Sequence, residues 1–236
     1  TDREPFNNID VRLALKYAIN REQLLEKILR GYGSLGNDHP IAPTQKFHAS
    51  ELPQREYDPD KARFLMKKAG VLDYTFSLHA ANAAWPGAKA ADAAMLFREH
   101  AAKAGIKIEV IIDPDDGYWS DVWMKKPWVM CYWSGRATAD WMFSTAYAEG
   151  SAWNDTFWKH ERFNKLLKEA RAELNEAKRH EMYIEMQNIV HDEGGVIIPV
   201  FANNIEVANQ KVRFENPAGN WEMDGHRAAE RWWFES

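Results

Sequence analysis

An alternation of strand and helix patterns between residues 74 and 133 constrains the fold more than any other feature of the sequence. The expected strands are short apolar segments rich in β-branched and aromatic side chains, and the segments between them show helical spacing. In chain order the predicted strands are 74–80, 106–112 and 128–133, with helices over 88–104 and 118–125 between them. This β-α-β-α-β order predicts a three-layer α/β domain with a sheet that is at least partly parallel.

Helical patterns flank this region on both sides, because apolar residues recur there at helical spacing. The predicted helices are 9–30, 59–69, 158–174 and 176–192, the predicted strands are 196–201 and 204–207, and loops are expected over 31–57 and 134–155. Residues 208–236 are rich in tryptophan, asparagine and charge and show no strong period. We therefore expect an α/β domain followed by a tail without predicted elements.

Composition excludes several classes of protein. The 236 residues are enough to bury one large core, and 30 basic against 35 acidic residues leave a net charge of −5. The chain therefore lacks the excess of basic residues that is typical of a nucleic-acid-binding protein. No run approaches the roughly 18 apolar residues of a membrane span, so we expect no direct membrane insertion. Cys131 is the only cysteine, which excludes an internal disulfide and a cysteine-rich zinc site.

The first residues, from Thr1 to Pro5, do not form a charged segment followed by an apolar one. A secretory signal peptide has that pattern, so none is predicted within this chain. The sequence alone is therefore consistent with a mature exported chain, a fragment or a cytoplasmic protein.

Short motifs that suggest catalysis or cofactor binding each lack a required part. Gly31–Gly36 spells GxGxxG, but it follows a helix, whereas a dinucleotide site follows a strand and opens a helix. His160 and His180 each precede a glutamate, yet neither has the second histidine one helical turn later that a zinc protease needs. Asp113–Gly117 resembles part of a calcium loop without its terminal glutamate. We therefore expect no cofactor, no metal and no catalytic residue.

Residues 132–141 are the strongest candidate for a ligand site. They begin where a predicted strand ends, and ligands of open α/β sheets lie outside the carboxyl ends of strands. The candidate residues are Trp133, Ser134, Gly135, Arg136 and Asp140. The indole offers a stacking face, and a guanidinium binds carboxylate or phosphate in a forked geometry. An equally supported interpretation buries Trp133 in the core and pairs Arg136 with Asp140 at the surface.

Several motifs in series resemble one protein family. The segment from Pro5 to Glu22, PFNNIDVRLALKYAINRE, is similar to the PFxDxxVRxALxxAIDRE segment of the family 5 solute-binding proteins of bacterial ABC importers. The segment from Tyr57 to Gly70, YDPDKARFLMKKAG, resembles the YDPxKAKxLLxEAG helix of that family. Further similar segments are 40–43, 162–167 and 196–200. The motifs lie in the family's order and span nearly the whole chain.

The resemblance implies a periplasmic-binding-protein-like lobe, three-layer α/β with a mixed sheet, from a protein whose two lobes close on a ligand. Residues 1–200 would form the second ligand-binding lobe, and residues 201–236 would return toward a first lobe that is absent from this chain. The family implies a peptide, opine, sugar conjugate or metal chelate as ligand and the transmembrane subunits of an ABC permease as partner. It also implies a periplasmic location, with the signal peptide outside this chain.

Aromatic residues near the end of the chain fit a segment that packs on another lobe. They are Trp221, Trp232, Trp233 and Phe234. Such a group is too apolar to stand alone in water. We therefore expect these residues to pack on this lobe, to pair with another copy or to be poorly ordered.

The resemblance also implies roles for individual residues. In peptide-binding relatives, the loop after the aromatic residue at Trp133 carries an aspartate that binds the α-amino group of the ligand, and Arg136 takes that position here. The reversed charge implies an anionic ligand group, while Asp140 could contact an amine. Trp119 aligns with an aromatic residue that lines the pocket, and Lys126 with a basic residue that meets ligand carboxylates. A sensor or chaperone-like protein of the same fold, or less favourably a hydrolase, is the alternative function.

Overall fold

The computed structural model of the chain describes residues 1–85, 89–219 and 221–235. The helices are α1 (Ile9–Tyr17), α2 (Arg21–Lys27), α3 (Pro59–Lys68), α4 (Ala90–Lys103), α5 (Ala139–Ala146), α6 (Glu161–Ala172), α7 (Glu176–Glu193), α8 (Glu222–His226) and α9 (Ala228–Arg231). The strands are β1 (Gly33–Leu35), β2 (Thr75–Ala80), β3 (Lys107–Ile112), β4 (Val200–Ala202), β5 (Val212–Arg213) and β6 (Trp233–Phe234). Short helical turns also occur over Asn82–Ala84 and Tyr118–Val122. This mixture of elements confirms the predicted α/β class.

A parallel strand pair, β2 with β3, forms the largest sheet contact of the fold. Its register runs from Thr75 opposite Lys107 to Ala80 opposite Ile112. The connection between the two strands is α4, which packs against both. Parallel strands need such a crossover because a tight turn cannot reverse the chain direction twice. The predicted β-α-β unit is therefore confirmed.

The third strand of the predicted series is shorter than expected. Val129 forms a single parallel bridge to His79, and Met130 N donates to His79 O at 2.8 Å. The Tyr118 hydroxyl then donates to Met130 O at 2.7 Å, which occupies that carbonyl. The chain leaves the sheet at this point, so the prediction of a strand over 128–133 is wrong beyond Met130.

A second strand pair explains the glycines of the GxGxxG segment. β1 and β4 are antiparallel, with Gly33 opposite Ala202. A Cβ atom at Gly33 would collide with Phe201 O, and one at Gly36 would collide with the backbone of Ile198. Glycine at these two positions therefore lets two backbones approach closely, which accounts for the motif by packing.

The helix predicted over 9–30 is two helices, α1 and α2. Asn20 separates them, because its side chain accepts a hydrogen bond from Gln23 N at 2.9 Å and so caps the start of α2. Its own N–H donates to His100 Nδ1 at 3.2 Å, which anchors the break to α4. The apolar spacing continues across the break and conceals it in the sequence.

Two further predictions are wrong. The loop predicted over 134–155 contains α5, which Thr138 caps by accepting a hydrogen bond from Trp141 N at 3.1 Å. The strand predicted over 204–207 does not form, because its apolar residues find no strand to pair with in the described part of the chain. Val207 is 96% exposed as a result. The tail instead contains the antiparallel pair β5 with β6 and the short helices α8 and α9.

Two large hydrophobic clusters form most of the core in the described part of the chain, beside a smaller third one around Tyr118 and Val122. The first joins α1, α3 and α4 to the parallel strands β2 and β3. The second joins α5, α6 and α7, where Phe143 packs edge-to-face on Phe163 with ring centroids 5.3 Å apart. The ends of α6 and α7 lie within three residues of those predicted for the helices over 158–174 and 176–192. Apolar burial of this kind supplies about 25 cal/mol per Å² toward folding.

A buried carboxylate joins the loop over 36–57 to the rest of the fold. Asp38 has no exposed surface and accepts hydrogen bonds from Arg21 at 2.6 Å and from Arg55 at 3.0 Å. It also accepts one from Ile198 N at 3.1 Å. Charged partners of this kind are required, because a carboxylate without water is costly unless it is paired and fully hydrogen-bonded.

A buried lysine extends this group of charges to the end of α7. The Lys16 ammonium donates to Val190 O at 3.2 Å and to His191 O at 2.7 Å. These carbonyls lie in the last turn of the helix, where the helix dipole favours a cation. Burial lowers the pKa of Lys16 to about 7, although the nearby charge of Asp38 opposes the shift.

We expect Lys16→Met to flatten the pH dependence of the free energy of unfolding between about pH 7 and pH 9. The pKa of folded Lys16 is about 7, below its ordinary value of 10.5, so the unfolded chain binds more protons in this window. The free energy of unfolding of the wild-type protein therefore gains a term that rises with pH. One such proton contributes at most about 1.4 kcal/mol per pH unit. Urea unfolding across the window measures the difference in slope between wild type and variant.

Lys165→Met is the matched control for this experiment. Its side chain is 63% exposed on α6 and lies 3.8 Å from Glu169, so its removal leaves the slope unchanged. Equal slopes for the wild-type protein and Lys16→Met would contradict the proposed titration of the buried lysine.

Candidate functional site

An open groove with a volume of about 2210 Å³ runs between residues of the two hydrophobic clusters. Its walls come from the loop over 40–47, the segment over 126–142 and the segment over 195–206. The second of these walls contains most of the candidate residues from the sequence. The groove therefore lies where the chain leaves the parallel sheet, as expected for an α/β fold.

Arg136 is a half-buried cation in this groove wall. Its guanidinium lies over the ring of Trp133, 5.5 Å from the centroid, and over that of Trp141, at 5.7 Å. It donates to Ser134 O at 2.9 Å and to Gly135 O at 3.3 Å. Within the described ranges, no carboxylate lies within ion-pair distance of this guanidinium. The geometry leaves its charge available to an anion in the groove.

Asp140 pairs with Arg171 and not with Arg136, the partner considered from the sequence. It accepts a hydrogen bond from Arg171 Nε at 2.7 Å, across from α5 to α6. The interpretation in which Asp140 pairs with Arg136 at the surface is therefore wrong. Asp140 still lines the groove, but its charge is already compensated.

Trp133 is only half-buried, so it is not a simple core residue. Its indole N–H donates to Asp155 Oδ2 at 3.0 Å, and the same oxygen accepts from Trp123 Nε1 at 3.1 Å and from the Cys131 thiol at 3.6 Å. Burial raises the pKa of Asp155, while these hydrogen bonds oppose the shift. Sequence reasoning missed Asp155, because nothing in its neighbourhood along the chain indicates its two indole partners.

The remaining candidate residues divide into two groups. Ser134, Gly135 and Lys126 are exposed and line the groove. Trp119 does not belong to the groove lining; it packs edge-to-face on Tyr132 with centroids 5.8 Å apart. The structure therefore brings together every candidate residue except Trp119, which supports the wall from outside.

Part of the tail also reaches the groove. Trp221 Nε1 donates to Gly135 O at 2.8 Å, and its ring lies edge-to-face to Trp141 with centroids 6.5 Å apart. Trp232 packs on Phe214 at 5.0 Å, whereas Phe234 is 75% exposed. Packing on this lobe, the first of the expected outcomes for the tail, is thus observed for Trp221.

The groove wall also presents unpaired backbone. Among the described residues, nothing hydrogen-bonds to the backbone N–H and C=O groups of Cys131, Tyr132 and Trp133. All three line the groove and follow directly after the bridge at Val129. An unpaired edge of this kind can accept an extended chain as an additional strand.

In the part of the chain that the structure describes, no helix combines the length and the apolar character that a membrane span requires. The same residues contain no group of three or more histidine, cysteine or acidic side chains arranged to ligate a metal ion.

Comparison with known proteins agrees with this architecture. The family described as bacterial extracellular solute-binding proteins, family 5 (middle) matches residues 1–155. The dipeptide-binding protein of Escherichia coli (strain K12) is 26% identical over 225 residues, which are 89% of this chain and 41% of that protein.

Solved structures show the same fold. The periplasmic binding protein DppA from Helicobacter pylori, in complex with the peptide STSA, superimposes with a TM-score of 0.78 at 20% identity, covering 100% of this chain and 46% of that one. NikZ from Campylobacter jejuni, in complex with Ni(L-His), gives 0.75 at 20% identity, covering 85% and 43%. The chain thus spans less than half the length of these relatives. The matches confirm the predicted periplasmic-binding-protein-like lobe.

We expect Thr138→Ala to lower the free energy of unfolding by about 1 kcal/mol, as loss of a helix N-cap does. The hydroxyl caps α5, the helix that carries Asp140 into the groove wall. Thr138→Ser is the matched control, because it keeps the hydroxyl and should retain most of the stability. Urea unfolding of both variants measures the effect, and an equal loss in both would argue against the cap.

Proposed function

Because the chain belongs to the bacterial extracellular solute-binding proteins of family 5, we propose that it supplies a ligand-binding lobe of an importer's binding protein. The proposed ligand is a peptide or a related small molecule with an anionic group. The complete protein would capture it outside the cytoplasm, in the periplasm, and deliver it to the transmembrane subunits of an ABC permease. Its activity is binding without catalysis, as the family description implies.

The observation that carries the proposal is the uncompensated guanidinium of Arg136. Two indole faces and two backbone carbonyls orient it, so little side-chain freedom is lost when an anion binds. A carboxylate or phosphate can accept two parallel hydrogen bonds from a guanidinium. Lys126, which also lines the groove, adds a second positive charge. Both features favour a ligand with a carboxylate or another anion.

The unpaired backbone of residues 131–133 supports a peptide rather than a sugar or a metal chelate. An extended peptide can hydrogen-bond to such an edge along its main chain, whatever its side chains are. The similarity to the E. coli dipeptide-binding protein and to DppA in complex with the peptide STSA agrees with this choice. Trp133, Ser134 and Gly135 would then contact the ligand directly, with Asp140 at the edge and Trp119 supporting the wall.

We further propose that residues 1–200 form the second lobe of a two-lobe protein and that residues 201–236 return toward the first. Ile205, Val207 and Phe234 are 63%, 96% and 75% exposed, which suits burial against another lobe. Closure of two lobes around the ligand would then exclude water from the contact with Arg136 and strengthen it.

A thermal-shift screen of the intact protein tests the proposal. The panel holds di- to pentapeptides, opines, acidic sugars and nickel chelates. A ligand present at about 100 times its dissociation constant adds about 2.7 kcal/mol to stability, a shift of a few degrees. Stabilisation by peptides supports the proposal, and stabilisation by none of these compounds would contradict it.

We expect Arg136→Ala to weaken binding of the stabilising peptide by about 2 kcal/mol, roughly 30-fold, because a charge-assisted contact is lost. Titration calorimetry measures the affinity, with the C-terminal amide of the same peptide as a second ligand. Arg162→Ala is the matched control, since this arginine pairs with Glu185 at 2.7 Å on the exposed face of α6. Unchanged affinity in Arg136→Ala would remove this residue from the ligand contacts.

A further inference from the structure

The carboxylate of Asp155 connects the turn that carries Trp123 to the groove segment that carries Cys131 and Trp133. One oxygen, Oδ2, accepts hydrogen bonds from the indoles of Trp133 at 3.0 Å and Trp123 at 3.1 Å and from the Cys131 thiol at 3.6 Å. An indole N–H acts only as a donor, so each of the two rings must present its N–H edge to this oxygen. The arrangement therefore sets the direction in which both rings point.

The Trp133 indole connects this carboxylate to the guanidinium in the groove. Its edge donates to Asp155, and its face lies 5.5 Å from the guanidinium carbon of Arg136. A hydrogen bond at the edge prevents the ring from turning about its side-chain bonds. The position of the cation above the face then depends on that bond, since the attraction between a cation and a ring requires the face.

Trp123 makes an equivalent hydrogen bond with a different consequence. Its indole donates to the same oxygen of Asp155, but its ring does not lie beside the Arg136 guanidinium and does not line the groove. Its nearest aromatic neighbours are Trp119 at 5.8 Å and Trp133 at 6.4 Å. Variants of the two tryptophans can therefore distinguish a general structural effect of Asp155 from an effect on the Arg136 guanidinium.

We propose that Asp155 is a positioning residue for ligand binding, which orients the Trp133 indole and through it the Arg136 guanidinium. The proposal rests on the proposed function, because it assigns Asp155 a part in the affinity of that same site. A negative charge suits this role better than a neutral amide, because hydrogen bonds to an ionised acceptor are stronger and shorter. Asp155 itself need not contact the ligand.

A double-mutant cycle in the intact protein tests this assignment, with tri-alanine as the probe and titration calorimetry as the measurement. We expect Trp133→Phe to weaken binding by about tenfold, as loss of a hydrogen bond to a charged group does, and Asp155→Asn to weaken it less, because the neutral amide oxygen still accepts. The double variant should bind no more weakly than Trp133→Phe alone, because both changes act on the same hydrogen bond. Trp123→Phe is the matched control and should stay within about twofold of the wild-type affinity.

Additive losses in the cycle, or equal losses in Trp123→Phe and Trp133→Phe, would overturn the proposal. If Asp155→Asn does not fold, Asp155→Glu takes its place in the cycle, because the longer side chain moves the acceptor oxygen away from both indoles. Trp133→Phe keeps an aromatic face for the cation. Since Trp133 is itself proposed to contact the ligand, a loss of affinity in that variant supports positioning only where the cycle is non-additive.

A second measurement does not depend on any ligand. In ¹⁵N-labelled protein, Asp155→Asn should shift the Nε–H resonance of Arg136, while Trp123→Phe should leave it in place. If tri-alanine does not bind the wild-type protein, the peptide proposal fails while this pattern still supports positioning by Asp155. An Arg136 resonance that Asp155→Asn does not move would overturn the positioning role whatever the ligand is.

Discussion

The buried charges around Asp38 are the interaction on which the rest of the structure depends. A carboxylate without water is stable only while Arg21 and Arg55 both pair with it, and removing one partner of such a group costs about 3–5 kcal/mol. The same carboxylate accepts the N–H of Ile198, which lines the groove just before β4. One buried side chain thus connects the loop over 36–57, the first helices and one wall of the groove.

The opposite wall depends on a carboxylate in the same way. Asp155 joins the turn that carries Trp123 to the segment that carries Trp133, and that segment leads directly to Arg136. The cation is oriented by aromatic faces and backbone carbonyls rather than by an acidic side chain. Asp140, the nearest acidic residue along the chain in the same wall, is neutralised by Arg171. The Arg136 guanidinium therefore stays available to a ligand.

The resemblance to family 5 binding proteins and the chemistry of the groove are independent observations, and both favour a lobe that binds a small ligand. The family match rests on sequence motifs in the helices α1 and α3 and on the fold as a whole. The argument for an anionic ligand rests on one loop, at the position where the resemblance implies an aspartate. Replacing an aspartate by Arg136 at one ligand contact would change which ligand the lobe binds without changing its fold, because fold and site vary separately.

The sequence by itself determined the α/β class, the β-α-β unit over 74–112, α6 and α7 and the family, because periodicity and motifs are properties of residues close together in the chain. Asn20 and Thr138, which cap α2 and α5, are residue types that commonly begin a helix, so these two helix starts also have a local signal in the sequence. Only the tertiary structure decided which partner Asp140 takes, since Arg171 lies 31 residues away. It alone revealed Asp155, which is separated from its two indole partners by 22 and 32 residues. Contacts over such distances depend on how the elements pack, and no local pattern records them.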